Sequence, residues 1–269
     1  MTRESLGKKK LVGLALSGGA VRGAAHLGVL EVLEREGIRP DFIAGTSAGS
    51  VVGAVYCAGM PVEQAETLAL DLQWRKIGQI TRPRLGFFDS QRMEDYLIEV
   101  IGDLTFEELE IPLSTVAVDI LSGEVVVMRE GRVVTAVRAS CALPGIFTPV
   151  EWHDRLLVDG GLLNNMPVSI VRAMGADYVI AVDLLPPSVL PEKPTSMLAM
   201  WYATIYTAMR ATHMEVQTAD CVIMPQVGPF VWTDFSKTPA LIELGRQAAE
   251  EKIGQLKRDL GLDSRTGIP

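Results

Sequence analysis

The chain has 269 residues, 48% of them apolar and 22% charged, with a formal net charge of −8. That size and balance suit one globular α/β domain, and an acidic chain offers no broad basic field for nucleic acid. Three scattered cysteines (Cys57, Cys141, Cys221) form no CxxC pair or disulfide framework, and three scattered histidines (His26, His153, His213) make a His-rich metal site a poor reading.

Lys8-Lys9-Lys10 followed by Leu11–Leu16 has the outline of a signal peptide. The apolar run stops at Ser17-Gly18-Gly19, too early for one, and reads instead as a first buried strand. Helical spacing follows at Ala25, Val29, Val32 and Leu33 and ends at Gly37. Phe42–Ala44 is a second short strand. Ala48–Ala58 is a helix of small and apolar residues closed by Gly59. Strand–turn–helix, repeated, is the grammar of a parallel sheet covered by helices. Val62–Leu72 is expected to be helical, Trp74–Ser90 irregular and near an opening, and Gln91–Ile101 helical. Leu113–Asp119 and Glu124–Arg129 form a hairpin. Val133–Cys141 is a helix, Asp177–Asp183 and Val222–Pro225 are strands, and Ile242–Asp259 is a charged helix.

Four prolines in 186–194 give way to Met197–Glu215, which carries Met, Trp and Ile at near-helical spacing. This segment is either a core-packed helix or a lid facing lipid, since Met and Trp adapt to irregular apolar ligands. No stretch approaches ~20 apolar residues free of charge, so no membrane span is expected. Mean hydropathy is high for a soluble protein, which implies a large core or an exposed apolar surface. The cysteines lie in apolar runs and are expected as buried thiols in a reducing, cytoplasmic setting.

Three constellations carry chemistry. Gly45-Thr46-Ser47-Ala48-Gly49 sits between a strand and a small-residue helix. A sharp turn with small neighbours lifts a nucleophilic hydroxyl clear of the backbone, and the next helix aims unpaired N–H groups and its positive end at it. The plainer alternative is a βα turn with a capping serine. Ser17-Gly18-Gly19-Ala20-Val21-Arg22-Gly23 also joins a strand to a helix, and its glycines can form a nest of N–H donors. Such a nest suits either a nucleotide phosphate or an oxyanion. The G-x-G-x-x-G and Walker patterns are both absent, which disfavours a nucleotide. Val158-Asp159-Gly160-Gly161 places a carboxylate on a tight loop, either as a plain turn or as a general base for Ser47. Burial would raise its basicity. Of the other titratable groups, His153 is the alternative base. Asp119 and Asp183 end strands, where functional groups often sit.

These segments in this order, LALSGGAVRGAAHLGVLEVL, IAGTSAGSVVGA, VRASCALPGIFTPV and LVDGGLLNNMPV, resemble the patatin-like phospholipase family. The bacterial branch, similar to the catalytic domain of neuropathy target esterase, is the nearest in pattern. The resemblance is best over 11–185 and implies one domain over 1–269, with 186–269 completing it and 197–215 as a lid. It implies a three-layer α/β fold, a mostly parallel central sheet with helices on both faces. It further implies a Ser47–Asp159 dyad without histidine, metal or cofactor, and an oxyanion hole at Gly18, Gly19 and Ala20. Arg22, Gly23, Gly45, Gly49, Gly160 and Gly161 would support the site. Arg22 either holds the loop, meets a phosphate or makes a helix-start ion pair. The family has glycine where this chain has Ala20, so the shape of that loop is open. The implied substrate is a fatty-acyl ester of the phospholipid or lysophospholipid type, with peripheral membrane contact possible. The rivals are acyl transfer to another alcohol and a catalytically silent lipid-binding module. Oligomeric state is not legible.

Overall fold

A computed structural model describes residues 9–80, 85–185, 193–228 and 230–262. Segments 81–84 and 186–192, the latter holding most of the proline-rich stretch, lie outside them. In chain order the strands are β1 (Val12–Leu16), β2 (Phe42–Thr46), β3 (Gln79–Ile80), β4 (Gly86–Asp89), β5 (Leu113–Asp119), β6 (Glu124–Met128), β7 (Gly145–Phe147), β8 (Val150–Trp152), β9 (Arg155–Asp159), β10 (Tyr178–Val182) and β11 (Cys221–Ile223). The helices are α1 (Ala25–Arg35), α2 (Ala48–Cys57), α3 (Val62–Leu70), α4 (Trp74–Ile77), α5 (Gln91–Ile101), α6 (Val133–Ser140), α7 (Val168–Ala173), α8 (Met197–Ala211) and α9 (Thr238–Leu260).

β11, β10, β1, β2 and β5 lie side by side and parallel. β6 and β9 pair antiparallel with β5, and β8 with β9. The two faces of β1 differ in side-chain size, and that sets the layers. Leu14 and Leu16 join Ile43, Ile180 and Val182 in the large core under α1, α2 and α9. Ala15 points the other way, with Ala44 and Ala181, and packs on Val168 and Val171 of α7. Small residues on that face let α7 approach closely. Each fully buried Leu, Ile or Val contributes roughly 1.5–3 kcal/mol before entropy is counted. The architecture is therefore three layers, with a mostly parallel sheet between helices.

The β5–β6 hairpin, strands β1, β2 and β10 and helices α1, α2, α3, α5 and α6 fall close to where the sequence places them, β11 lies slightly earlier than expected, and β8, β9 and α7 carry no sequence expectation. The irregular reading of Trp74–Ser90 needs correcting. That stretch holds α4 and the strands β3 and β4, and β4 pairs in parallel with the distant β7 to make a second, three-stranded sheet. Gly86 lies opposite Gly145 in this pairing, a contact between segments remote in sequence. The last helix starts at Thr238, with Pro239 in its first turn, one turn earlier than its charge pattern suggests. Among the described residues, no helix is long and apolar enough to cross a membrane.

Candidate active site

Ser47 follows the last residue of β2 and stands at the N-cap of α2 with φ 51° and ψ −123°. A non-glycine residue pays for that backbone geometry, and such strain gathers at functional turns. A serine at this position ordinarily caps the helix with its side chain. Here it makes no capping bond. The side chain instead lies close enough to the Asp159 carboxylate to favour its ionised form. The turn is held from behind by Ser140 at the end of α6. The Ser47 N–H donates to Ser140 Oγ at 2.9 Å, and Ser140 Oγ–H donates to the Val116 carbonyl at 2.6 Å. The flanking glycine is forced by contact: a Cβ on Gly49 would lie 2.2 Å from the Leu16 carbonyl oxygen.

Asp159 ends β9 and is 2% exposed. Its Oδ1 accepts the Gly161 N–H at 2.8 Å, which curls the chain into a short 3-10 turn at Gly160–Leu162. Burial pushes the carboxyl up to about 6, against the opposing influence of the nearby Ser47 side chain and the Gly161 N–H. The carboxylate is thus more basic than a surface aspartate, yet ionised at neutral pH. Gly160 packs so closely that a Cβ there would be 2.3 Å from the Val116 carbonyl oxygen.

The glycine loop passes the same spot. A Cβ on Gly18 would lie 3.1 Å from Ser47 Cβ. Of the three donors expected there, the Gly18 N–H bonds the Asn165 carbonyl at 3.3 Å. The N–H groups of Gly19 and Ala20 have no acceptor among the described residues. Ala20 adopts φ 50°, so alanine here takes up the left-handed backbone at which glycine is unstrained. Gly23 lies against Ala48 of α2, with room for no side chain. Arg22 is buried and donates through Nε and Nη2 to the Phe230 carbonyl, at 3.0 and 2.8 Å. It ties the loop to the segment before α9. No ion pair to it is formed among the described residues.

Asn164 and Asn165 knit the three turns together, a role no sequence signal revealed. The Thr46 hydroxyl donates to the Asn164 carbonyl at 2.9 Å, beside the Gly18–Asn165 bond.

The other titratable candidates are placed elsewhere. His153 occupies the two-residue β8–β9 turn with φ 53°, at the opposite end of β9 from Asp159, so it is no partner for Ser47. His26 is buried and bonds the Ser17 carbonyl at 2.8 Å, and burial lowers it to about 4. His213 bonds Asp183 at 2.8 Å. Asp119 organises the β5–β6 turn through Leu121 and Ser122 and also accepts the Leu156 N–H of β9. The three cysteines are buried and free. Cys141 lies beside Ser47, and burial pushes its thiol so far up that it stays protonated.

Ser47 and Asp159 open into an apolar pocket enclosing about 1250 Å³ of empty space, its mouth included. Leu143, Phe147 and Trp232 line it together with faces of α2, α3 and α5, the glycine loop and α4. Trp74 anchors one wall, packing edge-on against Phe235 at 5.3 Å and donating its indole N–H to the Thr233 carbonyl. α8 lies over the Asp159 turn. Met209 reaches Gly161 and Tyr206 is buried, while Met197 and Met200 are exposed.

Residues 14–172 match the family model described as Patatin-like phospholipase. A Mycobacterium tuberculosis protein, described as an uncharacterised NTE family protein, is 39% identical over 176 residues. These make up 64% of this chain and 49% of the relative. Lysophospholipase NTE1 of Coccidioides immitis is 27% identical over 285 residues, 94% of this chain and 18% of that protein. The chain therefore spans half or less of the length of these curated relatives. Among solved structures, VipD from Legionella pneumophila superposes with a TM-score of 0.56 at 14% identity, covering 94% of this chain and 67% of that one. At that identity the likeness is one of fold.

Proposed function

The chain belongs to the patatin-like phospholipase family, and on that footing we propose that it is a serine acyl hydrolase acting on fatty-acyl esters, with Ser47 as nucleophile and Asp159 as base. The observation that carries the reading is Ser47 itself. Its strained turn aims the hydroxyl away from the helix it should cap and at a buried carboxylate, on the wall of an apolar pocket.

In the first step Asp159 accepts the proton of Ser47 as Oγ attacks the ester carbonyl carbon. The carbonyl oxygen gains the electron pair and meets the N–H groups of Gly19 and Ala20. The tetrahedral intermediate collapses, the carbon–oxygen bond to the alcohol breaks, and the proton on Asp159 leaves with that alcohol. Water then attacks the acyl-serine with Asp159 again as base. The fatty acid departs and Ser47 regains its proton. A lysophospholipid is the substrate class suggested by the relative named lysophospholipase.

A panel of acyl esters and lysophospholipids, followed by mass spectrometry of products, tests this. Release of free fatty acid by the wild type and not by Ser47→Ala is expected. Turnover retained in Ser47→Ala would refute it, and acyl lipid formed in place of fatty acid would make the chain a transferase.

A further inference from the structure

Three helices present the same spacing to the pocket. α2 contributes Ala48, Val51, Val52 and Val55. α3 and the residues just after it contribute 65, 68, 69 and 72, and α5 contributes 93, 96, 97 and 100. Each set is i, i+3, i+4, i+7, one face of a helix over two turns. In an ordinary bundle such stripes would meet and close a core. Here they face one continuous cavity that begins at Ser47 and Asp159.

The direction of the groove follows from α2. Its axis starts at the nucleophile, so position along the helix measures depth from the reacting carbon. Val51 lies four residues beyond Ser47, about 6 Å in, and Val55 eight residues beyond, about 12 Å in. At that depth Val55 meets Leu27 of α1 and Ala65 of α3, both buried, in a separate apolar cluster that also takes in Val100. This cluster is the end wall. The stripes of α2 and α3 carry no charged side chain, and alanines stand at 48, 65 and 69 where larger residues would fill the groove.

We infer that the groove between α2, α3 and α5 is a ruler for a single acyl chain, with Val51 and Val55 marking successive depths and the Val55–Ala65 contact setting the longest chain that fits. The occupant is the acyl group of the ester that Ser47 attacks, because the cavity runs unbroken from that oxygen. This rests on the acyl-hydrolase reading above. A groove about 12 Å deep, measured from the reacting carbon, holds a medium-length chain in apolar contact, and hydrophobic pockets discriminate by roughly tenfold or more per displaced group.

The test is a ladder. Rates of hydrolysis of p-nitrophenyl butanoate, octanoate, dodecanoate and palmitate are measured for the wild type, Val51→Phe and Val55→Phe. Each is normalised to the sites titrated by a small fluorophosphonate, so that misfolded protein does not count. Val55→Phe should lower kcat/KM about tenfold or more on the longest ester that the wild type turns over well and leave butanoate within about twofold. Val51→Phe should lose octanoate as well. Ala65→Leu, which adds bulk at the end wall from the opposite side, should reproduce the Val55→Phe profile. Equal cut-offs for Val51→Phe and Val55→Phe, or profiles unchanged from wild type, would overturn the ruler while Ser47→Ala stays inactive. Turnover in Ser47→Ala would instead remove the reading beneath it.

Discussion

Thr46 and Asp159 lie opposite consecutive residues of one strand: Thr46 faces Val116 and Asp159 faces Ala117 of β5. β6 occupies the other edge of β5, so the parallel β2 and the antiparallel β9 share this one, arriving from opposite ends. They meet tip to tip, and the residue after Thr46 is Ser47. The separation of hydroxyl and carboxylate is therefore set by the repeat of a buried strand, not by two loops finding each other. Rigid elements hold such a pair more closely than loops do.

Ser140 is expected to act as a positioning residue through this strand. Its hydroxyl joins the Ser47 N–H to the Val116 carbonyl, the same carbonyl against which Gly160 packs. Ser140→Ala leaves both backbone groups buried without a partner, at about 1–3 kcal/mol each. Because small displacements cost much in rate, kcat should fall roughly 10- to 100-fold with KM for a long-chain ester nearly unchanged. Steady-state kinetics beside a melting curve separates the roles. A lower Tm with full kcat per titrated site would mean that Ser140 only stabilises.

Asp159 is expected to cost the fold stability at neutral pH. Its carboxyl rises from 3.8 to about 6 on folding because it is buried. The folded state then binds the proton more tightly than the unfolded one, so stability is greatest below the unfolded pKa and is lost as pH rises through about 6. The full loss is about 3 kcal/mol. Asp159→Asn removes the ionisable group and keeps an oxygen for the Gly161 N–H. Denaturant titration should find the variant more stable than wild type at pH near 8 and equal to it near 4. A variant that is less stable at both would show that the carboxylate holds the turn together.

Ala20 should be a site of local strain. At φ 50° alanine costs about 1 kcal/mol relative to glycine. Ala20→Gly is expected to raise Tm by roughly 2–4 °C and to keep activity within about twofold, since the N–H is retained. A lower Tm, read by calorimetry, would mean that the alanine methyl contributes more by packing than its backbone loses.

Much of this was legible before any coordinates. The β1–α1–β2–α2 order followed from short apolar runs and the glycines between them, because parallel strands and their crossovers leave strong local patterns. The three motifs pointed to Ser47 and Asp159, and the structure brings the two together. What stayed hidden depends on contacts distant in sequence. β7 is three residues long and, among the described residues, pairs only with β4, some sixty residues away, so neither strand has a signal of its own. The β8–β9 hairpin turns on His153, without the glycine that marks such turns. Ser140 is a small polar residue in an apolar helix, and only its two hydrogen bonds give it meaning. The helical stripes of α2, α3 and α5 were visible as periodicity, but periodicity alone does not tell a packed face from one that lines a cavity. The acceptor of the Gly18 N–H, the Asn165 carbonyl, lies in another motif, and no local pattern signals that bond.

The pH dependence of Ser47 acylation tests the dyad most directly. A fluorophosphonate is reacted with the protein across the acid-to-neutral range, and the labelled peptide is identified by mass spectrometry. The adduct should fall on Ser47, with a rate that climbs through a midpoint of about 6 as Asp159 ionises, and Asp159→Asn should be nearly unreactive throughout. Labelling at another residue, or an Asp159→Asn variant that labels as fast as wild type, would contradict the account.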